Sequence, residues 1–158
     1  MSDELKAGDK APLFDLPGAD GQISLGALGG RAVVLYFYPK DDTSGCTAEA
    51  QGFSAAAADF AAAGAVVVGV SKDSVASHQK FKAKYGLAPL LGSAKDDGIV
   101  ERYGAWVEKS MYGRKYMGID RSTFLIDGQG VLRRVWRKVK VSGHVAEVLA
   151  AAQDLANG

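Results

Sequence analysis

The chain has 158 residues, 47% hydrophobic and 23% charged, which excludes a disordered chain, a coiled coil and a collagen-like repeat. Nineteen basic and 18 acidic side chains leave a net charge of +1, so the total does not point to nucleic acid or an anionic membrane. The length fits one domain, residues 1–158, large enough to bury a core without a disulfide or metal staple.

Met1 to Lys6 carries no apolar run of the kind a secretory signal needs. Pro17-Gly18-Ala19-Asp20-Gly21, between two short apolar segments, predicts a small N-terminal β-hairpin. Ala32 to Tyr38 is continuously apolar, β-branched and aromatic, and Pro39 stops it; this predicts a buried central strand. A helix is expected from about Gly45 to Ala63, with Phe53 and Phe60 two turns apart on one face and Gly64 ending it. Val66 to Val70 reads as a second buried strand. The stretch Phe60 to Val70 is the longest uncharged apolar run and is too short to span a bilayer. The loop 71–74 ends in residues able to cap a helix that carries Val75, His78, Phe81 and Tyr85 and stops at Gly86. A short strand at Pro89 to Leu91 and a short helix at Asp97 to Tyr103 follow.

Gly104 to Asp120 shows no clear period and reads as a long irregular stretch. Ser122 to Asp127 and Val131 to Trp136, joined by Gly128-Gln129-Gly130, predict a β-hairpin. Residues 143–156 form a closing helix with Val145, Val148, Leu149, Ala152 and Leu155 on one face. The order is β-α-β-α, then a hairpin and a helix. It predicts an α/β fold of thioredoxin-like plan: a central mixed β-sheet flanked by helices on both faces, with the N-terminal hairpin as an extension.

Chemistry concentrates at one position. Cys46 is the only cysteine, so no intrachain disulfide exists, and the two histidines offer no zinc spacing; no metal site is expected. This cysteine usage and the lack of a signal suit a reducing compartment, the cytoplasm. Cys46 falls in the first turn of a helix, just past the carboxyl end of a central strand. Active sites of open α/β sheets lie there, and about half a positive charge at the helix N-terminus favours a thiolate. A lone cysteine is also commonly a small buried hydrophobe. The polar flanks, Asp42-Thr43-Ser44-Gly45 and Thr47-Ala48-Glu49, are unlike a core segment. Position alone leaves both readings open.

Pro39-x-x-x-Thr43-x-x-Cys46 after an aromatic strand resembles the active-site signature of the peroxiredoxins. Tyr36 to Glu49 is similar to the branch of bacterioferritin comigratory protein, or peroxiredoxin Q. Met111 to Ile119 and Arg121 to Asp127 resemble the same branch. The likeness runs from about Gly8 to Leu155. It implies a thiol-dependent peroxidase without a cofactor, acting on hydrogen peroxide and alkyl hydroperoxides. Cys46 would attack one peroxide oxygen while the other leaves as water or alcohol. The resemblance gives Thr43 a hydrogen bond to the thiolate and the peroxide. It gives Arg121 the tasks of favouring the thiolate and holding the O–O bond in line. Pro39 would shield the sulfur, and the N–H groups of the Gly45–Cys46 turn would stabilise developing charge. Glu49 matches a recurrent acidic position of the family, and equally suits a carboxylate in a helix's first turn.

Two departures from the branch matter. Ser44 stands where it usually has proline, which softens the turn. Gln51 stands at the commonest site of its resolving cysteine, and no other cysteine can substitute. Oxidised Cys46 should therefore stop at sulfenic acid until an external thiol arrives: glutathione, glutaredoxin or thioredoxin. By likeness to the branch, the chain is expected to be a monomer.

Other features carry plainer readings. Arg133, Arg134, Arg137, Lys138 and Lys140 suit a charged strand edge that resists aggregation. Trp106, Met111, Tyr112, Tyr116 and Met117 fit a substrate pocket, a dimer contact or the packing of a long loop. His78 and His144 default to surface or packing roles. A cysteine hydrolase using either histidine, or a redox sensor on the same scaffold, are the competing functions. Ala48, where a nucleophile elbow needs glycine, weighs against the hydrolase.

Overall fold

The computed structural model describes residues 4–158; Met1 to Asp3, which open the segment read as lacking a signal, lie outside the described residues. In chain order the elements are β1 (Asp15–Leu16), β2 (Ile23–Ser24), β3 (Ala32–Phe37), α1 (Ser44–Ala55), α2 (Ala57–Ala62), β4 (Ala65–Ser71), α3 (Val75–Tyr85) and β5 (Leu90–Ser93). Then come α4 (Ile99–Arg102), β6 (Trp106–Met111), β7 (Arg114–Ile119), β8 (Ser122–Ile126), β9 (Leu132–Trp136) and α5 (His144–Asn157). The main sheet has the order β5-β4-β3-β8-β9. β3, β4 and β5 are parallel, whereas β8 and β9 run antiparallel to their neighbours. β1 and β2 form the expected N-terminal hairpin.

The unbroken apolar run of β3 follows from burial on both faces. Val33, Leu35 and Phe37 enter one core cluster, and Val34, Tyr36 and Tyr38 the other. The second cluster takes Ala50 and Phe53 from α1, Phe60 from α2, Phe81 from α3, and Val148 and Ala152 from α5. On the opposite face the single-turn α4 supplies Ile99 and Val100 beside Leu16 and Ile23 of the N-terminal hairpin. Helices therefore cover both faces, unequally.

Two expectations are corrected. The helix expected from Gly45 to Ala63 is two helices that break at Ala56. Ser54 turns its hydroxyl back onto the Ala50 carbonyl at 2.8 Å, a bond that bends helices, and its oxygen also accepts the Ala88 N–H at 2.9 Å. Phe53 and Phe60 still meet, ring centres 5.7 Å apart. The stretch expected to be irregular, Gly104 to Asp120, is largely the antiparallel hairpin β6–β7. It lies outside the main sheet, so its side chains lack the sharp in-out alternation by which a strand is recognised. Its turn is Tyr112-Gly113, both at positive φ (52° and 77°). This is the type I′ arrangement that asparagine-glycine normally marks, and tyrosine hides it.

The Tyr112 side chain is 98% exposed, so its φ is not compensated by packing. Tyr112→Asn should raise stability by about 0.5–1 kcal/mol, since asparagine tolerates the left-handed region. Urea unfolding checks this; an unchanged or lower midpoint would contradict the strain argument.

Candidate active site

Strand pairing builds the site. β3 and β8 are antiparallel with Phe37 opposite Ser122, so the carboxyl end of β3 lies beside the start of β8. The loop after β3 leads into α1, and the residue just before β8 is Arg121. Pairing thus brings Arg121 to Cys46 across 75 positions of sequence. The Arg121 backbone is fixed in turn by its carbonyl, which accepts the Val139 N–H at 2.9 Å.

Cys46 is the third residue of α1 and is 1% exposed. Thr47 is the first residue of α1 whose N–H reaches a carbonyl of the preceding turn, that of Thr43 at 2.8 Å. The N–H groups before it are the unpaired donors of a helix start. Thr43 occupies the N-cap position without making a side-chain cap; its hydroxyl instead donates to the Lys40 carbonyl at 2.9 Å. Among the described residues it makes no hydrogen bond to Cys46; with its proton on the Lys40 carbonyl, the hydroxyl keeps its lone pairs free to accept.

Arg121 makes two contacts from one guanidinium. Nη2 donates to Cys46 Sγ at 3.4 Å, and Nη1 donates to Glu49 Oε1 at 2.7 Å. The guanidinium lies against Gly45, where an added Cβ would meet Nη2 at 3.2 Å. Gly45, Cys46, Glu49 and Arg121 thus converge. Pro39 is exposed at the loop's entry. Glu49 is not a solvated first-turn charge: it is buried in α1 and paired with Arg121.

The electrostatics follow from burial. Glu49 is fully buried, and its Oε2 has no hydrogen-bond partner among the described residues. Burial pushes its carboxyl from the usual 4.5 to about 7, against the pull of Arg121. Burial also works against the Arg121 charge, but Glu49 and Cys46 outweigh it and raise the guanidinium further. Arg121 remains 17% exposed, so one side is open to a ligand.

A carboxyl raised on folding leaves the folded state holding more protons than the unfolded one. Its contribution to stability is then greatest below pH 4.5 and is lost as pH rises to about 7. The loss is on the order of 3 kcal/mol at about 1.4 kcal/mol per unit. Glu49→Gln should therefore show a smaller drop in stability between pH 5 and pH 8 than the parent, measured by urea unfolding. Equal drops would show that Glu49 does not titrate in this window.

The histidines are buried rather than on the surface. His144 hydrogen-bonds Thr123 Oγ1 at 2.8 Å; burial, aided by the Arg121 charge, holds it below the usual histidine range. His78 pairs with Asp41 at 2.8 Å. Neither bonds Cys46 among the described residues, so the cysteine–histidine pair that a hydrolase needs is not formed. Sequence reasoning missed Tyr38, Asp41 and His78 as a connected set, because no local spacing links them. Of the basic cluster, Arg133, Arg134 and Arg137 pair with Asp127, Glu147 and Glu4, and β9 is an edge strand. Met111, Tyr112, Tyr116 and Met117 are exposed on the β6–β7 hairpin. No helix among the described residues is long and apolar enough to cross a membrane.

The arrangement offers a sulfur at a helix start, unpaired N–H donors and an oriented cation: an electrophile with a developing negative charge is what it can bind and attack. Comparison with known proteins agrees. Residues 7–135 match the AhpC/TSA family. The chain is 55% identical over 146 residues to a putative peroxiredoxin Bcp of Coxiella burnetii, covering 92% of this chain and 97% of that protein. It is 46% identical over 152 residues to peroxiredoxin Bcp of Bacillus subtilis, covering 96% and 97%. Among solved structures, the bacterioferritin comigratory protein of Xanthomonas campestris superposes with a TM-score of 0.87 at 43% identity, covering 94% and 99%. A mutant peroxiredoxin Q of Xylella fastidiosa superposes with a TM-score of 0.92 at 36% identity, covering 98% and 99%. With the sulfur, the arginine and the thioredoxin-like sheet in these positions, the chain belongs to the AhpC/TSA family and, within it, to the peroxiredoxins of the Bcp type.

Proposed function

We propose that this thiol-dependent peroxidase works through Cys46 alone, with Arg121 and Thr43 as its catalytic partners. The observation that carries the reading is the Arg121 guanidinium, 3.4 Å from Cys46 Sγ and held there by Glu49. The Cys46 thiolate attacks the terminal oxygen of a hydroperoxide. The S–O bond forms as the O–O bond breaks, and the sulfur gives up two electrons. Water or an alcohol leaves after its oxygen takes a proton, and Cys46 is left as sulfenic acid. Arg121 and the unpaired N–H groups around Gly45 stabilise the charge that moves onto the leaving oxygen. Thr43, its own proton directed to Lys40, accepts the peroxide O–H and so orients it. Pro39 limits access at the loop's entry.

The resting enzyme is regenerated by an external thiol, because the chain has no second cysteine. One thiol condenses with the sulfenic acid, releasing water; a second reduces the mixed disulfide. Glutathione, glutaredoxin and thioredoxin fit this chemistry. Hydrogen peroxide and alkyl hydroperoxides are the substrates, a range supported by the alkyl peroxide reduction activity of the Xanthomonas campestris bacterioferritin comigratory protein. Residues 1–158 act as one domain, as a monomer, in the reducing cytoplasm, where a lone thiol stays reduced.

The test is a single turnover. Reduced protein without added reductant should consume about one peroxide per chain. A sulfenic-acid trap read by intact mass should label Cys46 in the folded protein and not after unfolding in urea. Consumption no faster than that of the unfolded chain would overturn the reading in favour of a sensor. Adding each candidate reductant in turn then shows which one restores multiple turnovers.

A further inference from the structure

The loop that delivers Cys46 is fastened from behind by a buried polar cluster. Asp41, 7% exposed, lies two residues after Pro39 and two before Thr43. Its Oδ1 accepts the Tyr38 hydroxyl at 2.6 Å; its Oδ2 accepts the Ser77 hydroxyl at 2.7 Å and faces His78 Nδ1 at 2.8 Å. Its backbone N–H donates to Asp73 Oδ2 at 2.8 Å, an oxygen that also takes the Ser71 hydroxyl at 2.6 Å. His78, fully buried, faces the Gly92 carbonyl with Nε2 at 3.0 Å. Both ring nitrogens of His78 therefore have a partner, Asp41 Oδ2 on one side and the Gly92 carbonyl on the other.

The next residue is tied to the same helix. Asp42, at φ 59°, accepts Tyr85 at 2.6 Å and Lys84 at 2.8 Å. The ligand atoms of Asp41, Asp73 and His78 lie within 4.8 Å of one another, a spacing that a metal ion requires. The Asp41 oxygens and Asp73 Oδ2 are already taken by O–H and N–H donors, so the cluster is a hydrogen-bonded clamp.

The clamp ties the loop after β3 to α3 and to the loop that precedes α3. We infer that Asp41 and His78 are positioning residues for the peroxidase reaction: they fix the path of residues 39–43 so that Thr43 and the start of α1 meet Cys46 in the attacking geometry. The inference rests on the peroxidase reading above. Buried hydrogen bonds fix direction better than an apolar contact, because breaking one leaves a buried polar group unpaired.

The test compares two reactions of Cys46 in the reduced full-length protein. Attack on peroxide needs the aligned loop; alkylation by iodoacetamide needs only the sulfur and access to it. Asp41→Asn and His78→Gln should each slow the peroxide reaction by about tenfold or more, as expected when reacting groups are displaced by a fraction of an ångström. Alkylation should be unchanged or faster. The double variant should be no worse than the poorer single variant by more than about twofold, since the two residues act as one unit. Ser77→Ala, which removes one donor and leaves the pair buried, should fold as the parent does and move the ratio of the two rates in the same direction. If the ratio stays at the parent value in Ser77→Ala and in every folded variant, or if both rates fall in equal proportion, the positioning role is overturned. The parent's own peroxide rate tests the peroxidase reading separately, and the alkylation rates read the clamp without it.

Discussion

Replacing Cys46 with serine should abolish peroxide turnover. The prediction has the largest effect because the reaction oxidises the sulfur by two electrons, and a hydroxyl oxygen can neither accept that oxidation nor ionise at neutral pH. No second cysteine exists to take over. Cys46 is 1% exposed and belongs to the buried cluster that also holds Ala50, Tyr36 and Phe53, so a serine of nearly the same size keeps the core filled. The cost is one hydroxyl in a site where Arg121 already donates, on the order of 1 kcal/mol. Peroxide consumption driven by excess dithiothreitol should fall to the rate of dithiothreitol alone, while the unfolding midpoint moves little. Retained turnover in Cys46→Ser would remove the basis of the assignment.

Arg121→Ala should lower kcat/KM for peroxide by about 10²–10³, the range for losing a charged or polar group aimed at developing charge. The same substitution tests the stability argument. It removes the counter-ion of a fully buried carboxylate, a change that ordinarily costs about 3–5 kcal/mol. Glu49 has an escape, because burial has already lifted its carboxyl to about 7 even with Arg121 present. Without the arginine it takes up a proton and sits neutral. The stability loss in Arg121→Ala should therefore be larger at pH 8 than at pH 5.5, read from urea unfolding at both. Arg121→Lys should recover part of the activity at most. An ammonium lacks the planar fork that reaches Cys46 Sγ and Glu49 Oε1 together. Full activity in Arg121→Ala would mean that the helix start alone activates Cys46.

The arginine shows how far the sequence could be read. By itself Arg121 is a charge before a strand, and only likeness to a family drew attention to it. Its position beside Cys46 depends on β8 pairing with β3 in one register, Phe37 opposite Ser122. Glu49 was visible as an acid in a first turn, but its burial and its bond to Arg121 needed the packed helix. The β6–β7 hairpin escaped detection because its turn uses Tyr112-Gly113 and its strands carry little alternation.

What the sequence determined by itself is local. The two-faced apolar run of β3, the Ser74 cap and Gly86 stop of α3, the hairpin at Gly128-Gln129-Gly130 and the placing of Cys46 at a helix start all follow from short-range pattern. The lone cysteine, and with it the need for an external thiol, is a matter of counting. Tertiary structure alone decided which distant side chains share an environment. It set Arg121 on the sulfur, raised Glu49 by taking it out of water, and joined Tyr38, Asp41, Asp73 and His78 from separate elements into one clamp. The physical reason is that hydrophobic period and turn chemistry act over a few residues, whereas charge pairing and desolvation depend on distances that exist only once the sheet has closed.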